Sequence, residues 1–161
     1  MNIELIKLKE DTDLKRLFFD CQGIVDENLV QNGGNLKQND LINKDFAWSH
    51  LVLLKNNDLV IGFALVRRSK EDKHKTGFEE YYYISQIAIK KDYQNRKLGT
   101  VMLNFILENI TDLPLVASVS KGNVASLALF NKGFTQYSET GNYFRYINNN
   151  AYELKVKNEL N

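Results

Sequence analysis

The sequence predicts an α+β (α/β) domain, and three observations carry the prediction. Runs rich in β-branched and aromatic residues take turns with segments whose apolar residues fall at helical spacing. Two apolar runs flank Asn56-Asn57-Asp58, a hairpin signal because Asn and Asp tolerate left-handed backbone. The stretch 81–109, YYYISQIAIKKDYQNRKLGTVMLNFILEN, reads as a strand, a basic loop and a helix in direct succession.

Composition narrows the class. A length of 161 residues predicts a single domain over 1–161, large enough to bury a core. Hydrophobic content is 43% and charged content 25%, as in ordinary globular proteins. The net charge of +1 argues against a dedicated nucleic-acid or membrane-surface protein, either of which needs a strong basic excess. Neither a signal peptide nor a transmembrane run is visible, and the start, MNIELIKLKED, is charged throughout. Cys21 is the single cysteine, so no internal disulfide forms, and a cytoplasmic setting is expected. His50 and His74 lack partners at metal-ligand spacing, so no metal site is expected.

In chain order, 2–8 alternates as an edge or near-edge strand. Asp11-Thr12-Asp13 supplies an N-cap for a helix whose apolar stripe is Leu14, Leu17, Phe18 and Cys21. A second short helix is expected over 24–30, ended by Gln31-Asn32-Gly33-Gly34-Asn35. Residues 31–47 are polar and loop-like, and Phe46 and Trp48 read as core-capping aromatics. Strands over 50–55 and 59–68 make the hairpin, with Gly62 marking a bulge or a close backbone approach. The charge-rich 69–80, including His74, reads as a solvated loop.

A strand over 81–89, a loop over 90–98 and a helix over 99–109 follow, with Pro114 closing the connection. Then come a buried strand over 115–119 and a helix over 123–131, capped by Asn123 and closed by Gly133. A hairpin over 134–139 and 142–147, a flexible turn at 148–150 and a last strand over 152–156 complete the reading.

The strand–loop–helix stretch is where chemistry is expected. The first N–H groups of a helix have no internal partner, and the macrodipole favours negative charge beside them. With Arg96 and Lys97 immediately before the helix, a phosphate-bearing ligand is expected around residues 96–100.

Gln94-Asn95-Arg96-Lys97-Leu98-Gly99-Thr100 resembles the acetyl-CoA pyrophosphate loop of the GNAT N-acetyltransferases, whose pattern is Gln/Arg-x-x-Gly-x-Gly/Ala. Gln94 and Gly99 match, while Lys97 stands where the first Gly is usual. Downstream, Asn123, Ser126, Leu129, Phe130 and Gly133-Phe134 resemble the family's Asn-x-x-Ala/Ser-x-x-Leu/Phe-Tyr-x-x-x-Gly-Phe segment. There Phe130 replaces the usual Tyr, and the spacer before Gly133 is one residue short.

The resemblance implies a mixed, mostly antiparallel, twisted sheet of six or seven strands flanked by about four helices. It implies acetyl-CoA as co-substrate and direct acetyl transfer to a primary amine of a small molecule or peptide. Backbone groups over Asn95, Arg96, Lys97, Leu98, Gly99 and Thr100 would cradle the pyrophosphate, with Gln94 opening the loop. Ile87, Ala88 and Ile89 would contact the pantetheine, and the Ile87 N–H would polarise the thioester carbonyl. Asn123 and Phe130 would approach the cofactor from the second segment.

The acid and base depart from the family's pattern. Ser85 and Gln86 occupy the place where many relatives carry an acidic residue, leaving a water relay, Glu79 or Glu80, or desolvation of the amine. With no hydroxyl on Phe130, Tyr83, Tyr137 and Tyr143 are the tyrosines to consider as proton donor, the first two foremost. Two other readings remain: a module that binds acyl-CoA without turnover, and an acetyltransferase acting on a protein or a charged tRNA. A homodimer by sheet extension through 142–147 or 152–156 is also expected.

Overall fold

The computed structural model describes residues 1–9, 13–32 and 50–160. Seven strands form one mixed sheet in the order β1-β2-β3-β4-β5-β7-β6, accompanied among the described residues by four α-helices. The chain divides into two compact units, Met1–Val66 with Gln86–Met102, and Arg67–Ser85 with Leu103–Asn161.

In the first unit, β1 (Asn2–Lys7) pairs antiparallel with β2 (His50–Asn56), and β2 with β3 (Leu59–Ser69). The turn between β2 and β3 places Asn57 at φ 55°, the left-handed backbone that an Asn tolerates. The register slips between Leu54 and Lys55, opposite Val60 and Gly62, so the expected bulge is present. The expected close approach is there as well: a Cβ on Gly62 would lie 2.8 Å from Ile89 Cδ1 and 3.2 Å from the Ala88 carbonyl.

Helix α1 (Leu14–Asn32) is continuous, where the sequence suggests two helices. Its N-terminus is capped as expected, with the Asp13 carboxylate accepting the Arg16 N–H at 3.3 Å. Gly23 costs the helix about 1 kcal/mol relative to Ala. Burial of Phe18, Cys21, Ile24 and Val25 against Leu51, Leu53, Phe63 and Leu65 outweighs that cost, because each large apolar side chain contributes about 1.5–3 kcal/mol. Cys21 is fully buried, and burial pushes its thiol up to about 12, so it is a packed hydrophobe and no thiolate nucleophile. Asp11, Thr12, the stop at 33–35, Phe46 and Trp48 lie outside the described residues.

In the second unit, the first part of β4 (Tyr81–Ile89) pairs parallel with β5 (Leu115–Ser120) at Tyr82↔Leu115 and Tyr83↔Val116. Strand β5 then pairs antiparallel with β7 (Tyr143–Asn148), and β7 with β6 (Phe134–Glu139). Helix α2 (Leu98–Asn109) carries the chain from the first unit into the second. Helix α3 (Val124–Phe130) ends shortly before Gly133. That residue has φ +81°, and a Cβ added to it would lie 2.8 Å from Leu107 Cδ1, so angle and space both require glycine.

Two expectations fail at the C-terminus. Residues 152–156 belong to α4 (Asn149–Leu160), and Asn149 and Asn150 open that helix, so there is neither a last strand nor a flexible turn. The YELKV alternation misleads because Leu154 and Val156 face solvent while Ala151 and Tyr152 pack on Tyr81, Val116 and Ile147. Asn148 ends β7 and accepts the Leu115 N–H at 2.9 Å, which pins it. The dimer strands are corrected by the same result. Strand β7 is interior, and the free edges are β1 and β6.

Candidate active site

The basic loop lies in the first unit. A one-turn 3-10 helix, Lys91–Tyr93, follows β4, and α2 begins at Leu98. Between them Asn95 (φ 63°) and Lys97 (φ 60°) are both left-handed. Left-handed residues set between ordinary ones turn successive N–H groups toward one point, the geometry of an anion nest. Lys97 thus keeps the backbone shape that a Gly at that place adopts freely, at a cost of roughly 1–2 kcal/mol. Gly99 and Thr100 are the second and third residues of α2, within the first turn, where N–H groups are unpartnered. The Arg96 guanidinium lies 5.2 Å from the Tyr93 ring centroid and bonds the Asp92 carbonyl at 3.3 Å, on the exposed side of the loop.

The side chain of Gln94 turns inward. Its Nε2 donates to Asn28 Oδ1 at 2.8 Å and to the Ile89 carbonyl at 3.0 Å. Asn28 in turn donates to the Ile24 carbonyl at 2.9 Å and the Ile89 carbonyl at 3.3 Å. The Lys90 N–H bonds the Ile61 carbonyl at 2.7 Å. The end of β4 is therefore tied to α1, β3 and the loop at once, and Ile87, Ala88 and Ile89 are half-buried there. Sequence reasoning misses Asn28. Its partners stand 61 and 66 residues away, and no local pattern marks it. Replacing Asn28 with Leu removes one of the two acceptors of the Gln94 amide. Urea unfolding of that variant should show a loss of about 1–3 kcal/mol.

The aromatic candidates lie in the second unit. Tyr83 stacks on the His74 ring, with centroids 4.2 Å apart and planes 14° apart. The buried Tyr81 hydroxyl accepts the His74 backbone N–H at 3.2 Å and meets His74 Nδ1 at 2.6 Å. Burial lowers the His74 pKa, and the Arg145 charge adds to this. His74 is thus a packed, neutral imidazole and not merely a solvated loop residue.

Tyr137 donates its hydroxyl to the His74 carbonyl at 2.7 Å, and burial raises its pKa further. The 69–80 segment is folded, not simply solvated: the Asp72 carboxylate accepts the N–H groups of Thr76 and Gly77 and the Thr76 hydroxyl. The Glu80 carboxylate is paired with Arg68 at 2.6 Å.

Asn123 caps α3, its Oδ1 accepting the Ser126 N–H at 3.1 Å. Phe130 is buried, edge-on to Phe134 at 5.2 Å and tilted against Tyr146 at 6.0 Å. A cavity of about 250 Å³ is lined by Tyr83, Ser118, Thr140, Tyr143 and Arg145. Among the described residues no cluster of His, Cys, Asp and Glu has a metal-holding arrangement, and no helix is long and apolar enough to cross a membrane.

The profile of the acetyltransferase (GNAT) family matches residues 14–134. Among solved structures, ElaA of Escherichia coli is 17% identical with a TM-score of 0.64, covering 91% of this chain and 99% of its own. An acyl-CoA N-acyltransferase from Pseudomonas aeruginosa is 12% identical with a TM-score of 0.66, covering 91% and 99%. The PaiA N-acetyltransferase of Thermoplasma acidophilum, solved with coenzyme A, is 16% identical with a TM-score of 0.55, covering 92% and 99%. No curated protein matches the chain.

Proposed function

Since the chain belongs to the acetyltransferase (GNAT) family, we propose that it transfers the acetyl group of acetyl-CoA directly to a primary amine of a small molecule or peptide. The observation that carries this reading is the loop from Gln94 to Thr100. Two left-handed residues and a helix start are held in place by the Gln94–Asn28–Ile89 hydrogen bonds, with Arg96 outside. That arrangement suits a pyrophosphate: backbone donors converge, and the nearby charges are positive.

Acetyl-CoA supplies the activated acyl group when bound. The N–H groups of Asn95 to Thr100 hold the diphosphate, and Ile87 to Ile89 hold the pantetheine arm. The Ile87 N–H faces the thioester oxygen, where such a donor contributes about 2.7–4 kcal/mol to the transition state. The neutral amine would attack the carbonyl carbon, the ammonium proton of the tetrahedral intermediate would leave to solvent, and the C–S bond would break as the carbonyl re-forms. The departing thiolate would take its proton from the Tyr83 hydroxyl, which solvent then reprotonates. Tyr137 serves instead to hold the His74 loop, since its own proton is committed to the His74 carbonyl. Asn123 and Phe130 act by shaping α3 and its packing. Direct transfer is favoured because the single cysteine is buried and protonated. The same reduced cysteine fits a cytoplasmic setting.

Calorimetric titration with acetyl-CoA, followed by thiol-release assays over a panel of amines, tests the reading. Saturable binding with amine-dependent release of coenzyme A is expected. Binding without release for any amine would leave an acyl-CoA-binding module, and no binding by folded protein would end the proposal.

A further inference from the structure

The cavity of the second unit has a chemistry of its own. By the two-residue alternation of a strand, Tyr81 and Tyr83 of β4, Val116 and Ser118 of β5, and Tyr143, Arg145 and Ile147 of β7 share one face. Ala151 of α4 covers the Tyr81, Val116 and Ile147 end of that face. Further along, a cavity is lined by Tyr83, Ser118, Tyr143 and Arg145, with Thr140 beside them. Ser118 and Arg145 are direct cross-strand partners, so a hydroxyl and a guanidinium stand side by side on the floor.

The charge inside is one-sided. No carboxylate lines the cavity, and among the described residues none pairs with the half-buried Arg145. The acids of this unit that form bonds have other partners: Glu80 holds Arg68, Glu139 holds Lys121 at 2.6 Å, Asp72 caps the Thr76 turn, and Asp112 accepts the Tyr82 hydroxyl at 3.0 Å. His74, stacked behind Tyr83, adds no negative charge. A half-buried guanidinium without a counter-ion favours a planar anion that can accept two parallel N–H bonds, which a carboxylate does. A polycation meets only repulsion there.

We propose that this cavity binds a small carboxylate, of the size of a free amino acid, through Arg145. The volume of about 250 Å³ is roughly eight waters at ~30 Å³ each, which suits a molecule of that size. Tyr83 and Tyr143 supply aromatic walls for its side chain. The binding of the carboxylate stands by itself, and only turnover of a bound acid rests on the acetyl-transfer reading.

The test uses free amino acids, each paired with its neutral amide, leucine and leucinamide among them. Saturation-transfer NMR measures binding to the full chain, and thiol release measures turnover. At least one acid should bind at least tenfold more tightly than its amide. Arg145→Gln should bring that ratio close to one while leaving the acetyl-CoA dissociation constant within twofold, and Arg145→Lys should restore part of the preference. Thermal melts confirm that each variant is folded, and the wild-type acid-to-amide ratios stand even if a variant is not. If no acid binds better than its amide, or Arg145→Gln keeps the ratio, the assignment is overturned while acetyl transfer survives. If acids bind through Arg145 but acetyl-CoA does not bind, acetyl transfer falls and the carboxylate site remains.

Discussion

Gly99→Trp should abolish acetyl-CoA binding, with the dissociation constant rising at least a hundredfold, about 2.7 kcal/mol. Gly99 is the second residue of α2, in the turn whose free N–H groups would face the diphosphate. Its backbone is ordinary and helical, so no left-handed angle demands a glycine there. On the proposed reading, the glycine would instead let a diphosphate approach the helix start. An indole would occupy that space without disturbing the helix, because Trp is a better helix former than Gly. The melting temperature should therefore hold or rise while binding disappears. Isothermal titration with acetyl-CoA on both proteins, beside thermal melts, reads the two quantities separately. A variant that binds as the wild type does would show that the diphosphate sits elsewhere.

Gly62→Val should destabilise the protein by about 1–3 kcal/mol, the usual cost of adding methyl groups to a filled interior. The added Cβ meets Ile89 Cδ1 at 2.8 Å, the Ala88 carbonyl at 3.2 Å and Met102 Sδ at 3.4 Å. The isoleucine methyl can move. The carbonyl belongs to the backbone of β4 and cannot move without shifting the strand. At this size a loss of 1 kcal/mol lowers the melting temperature by about 2–4 °C, so a fall of roughly 3–10 °C is expected. The shift bears on function, because Ile87 to Ile89 are the residues proposed to hold the pantetheine. Acetyl-CoA affinity should fall alongside stability, and Gly62→Ala should show a smaller change in both. An unchanged melting curve for the valine variant would mean that the β3–β4 approach is looser than the geometry states.

Local chemistry explains why the loop was readable in advance. A strand of β-branched and aromatic residues, a run of polar and basic ones, then apolar residues at helical spacing can be built in few other ways. The N-caps were readable for the same reason: Asp13 and Asn123 each accept a backbone N–H three residues on. Gly62 announced a close approach, since a glycine inside an apolar strand needs such a reason. The errors have the opposite origin. Residues 152–156 alternate as a strand does, yet the core takes only Ala151 and Tyr152, so packing overrode the pattern. Residues 14–32 read as two helices, and burial of the stripe through Cys21 and Val25 keeps one.

Sequence alone determined the order of the strands up to β7, the strand–loop–helix succession that leads into α2, and the resemblance that the family match then established. These depend on spacing and side-chain type within a few residues. Tertiary structure alone decided that Gln94 spends its side chain on Asn28, that Lys97 holds a left-handed turn, and that His74 is packed between two tyrosines. It also decided that Arg145 lines a cavity with no counter-ion among the described residues. Each of these depends on partners far apart along the chain, brought together only when the sheet forms, and no local pattern encodes such a meeting.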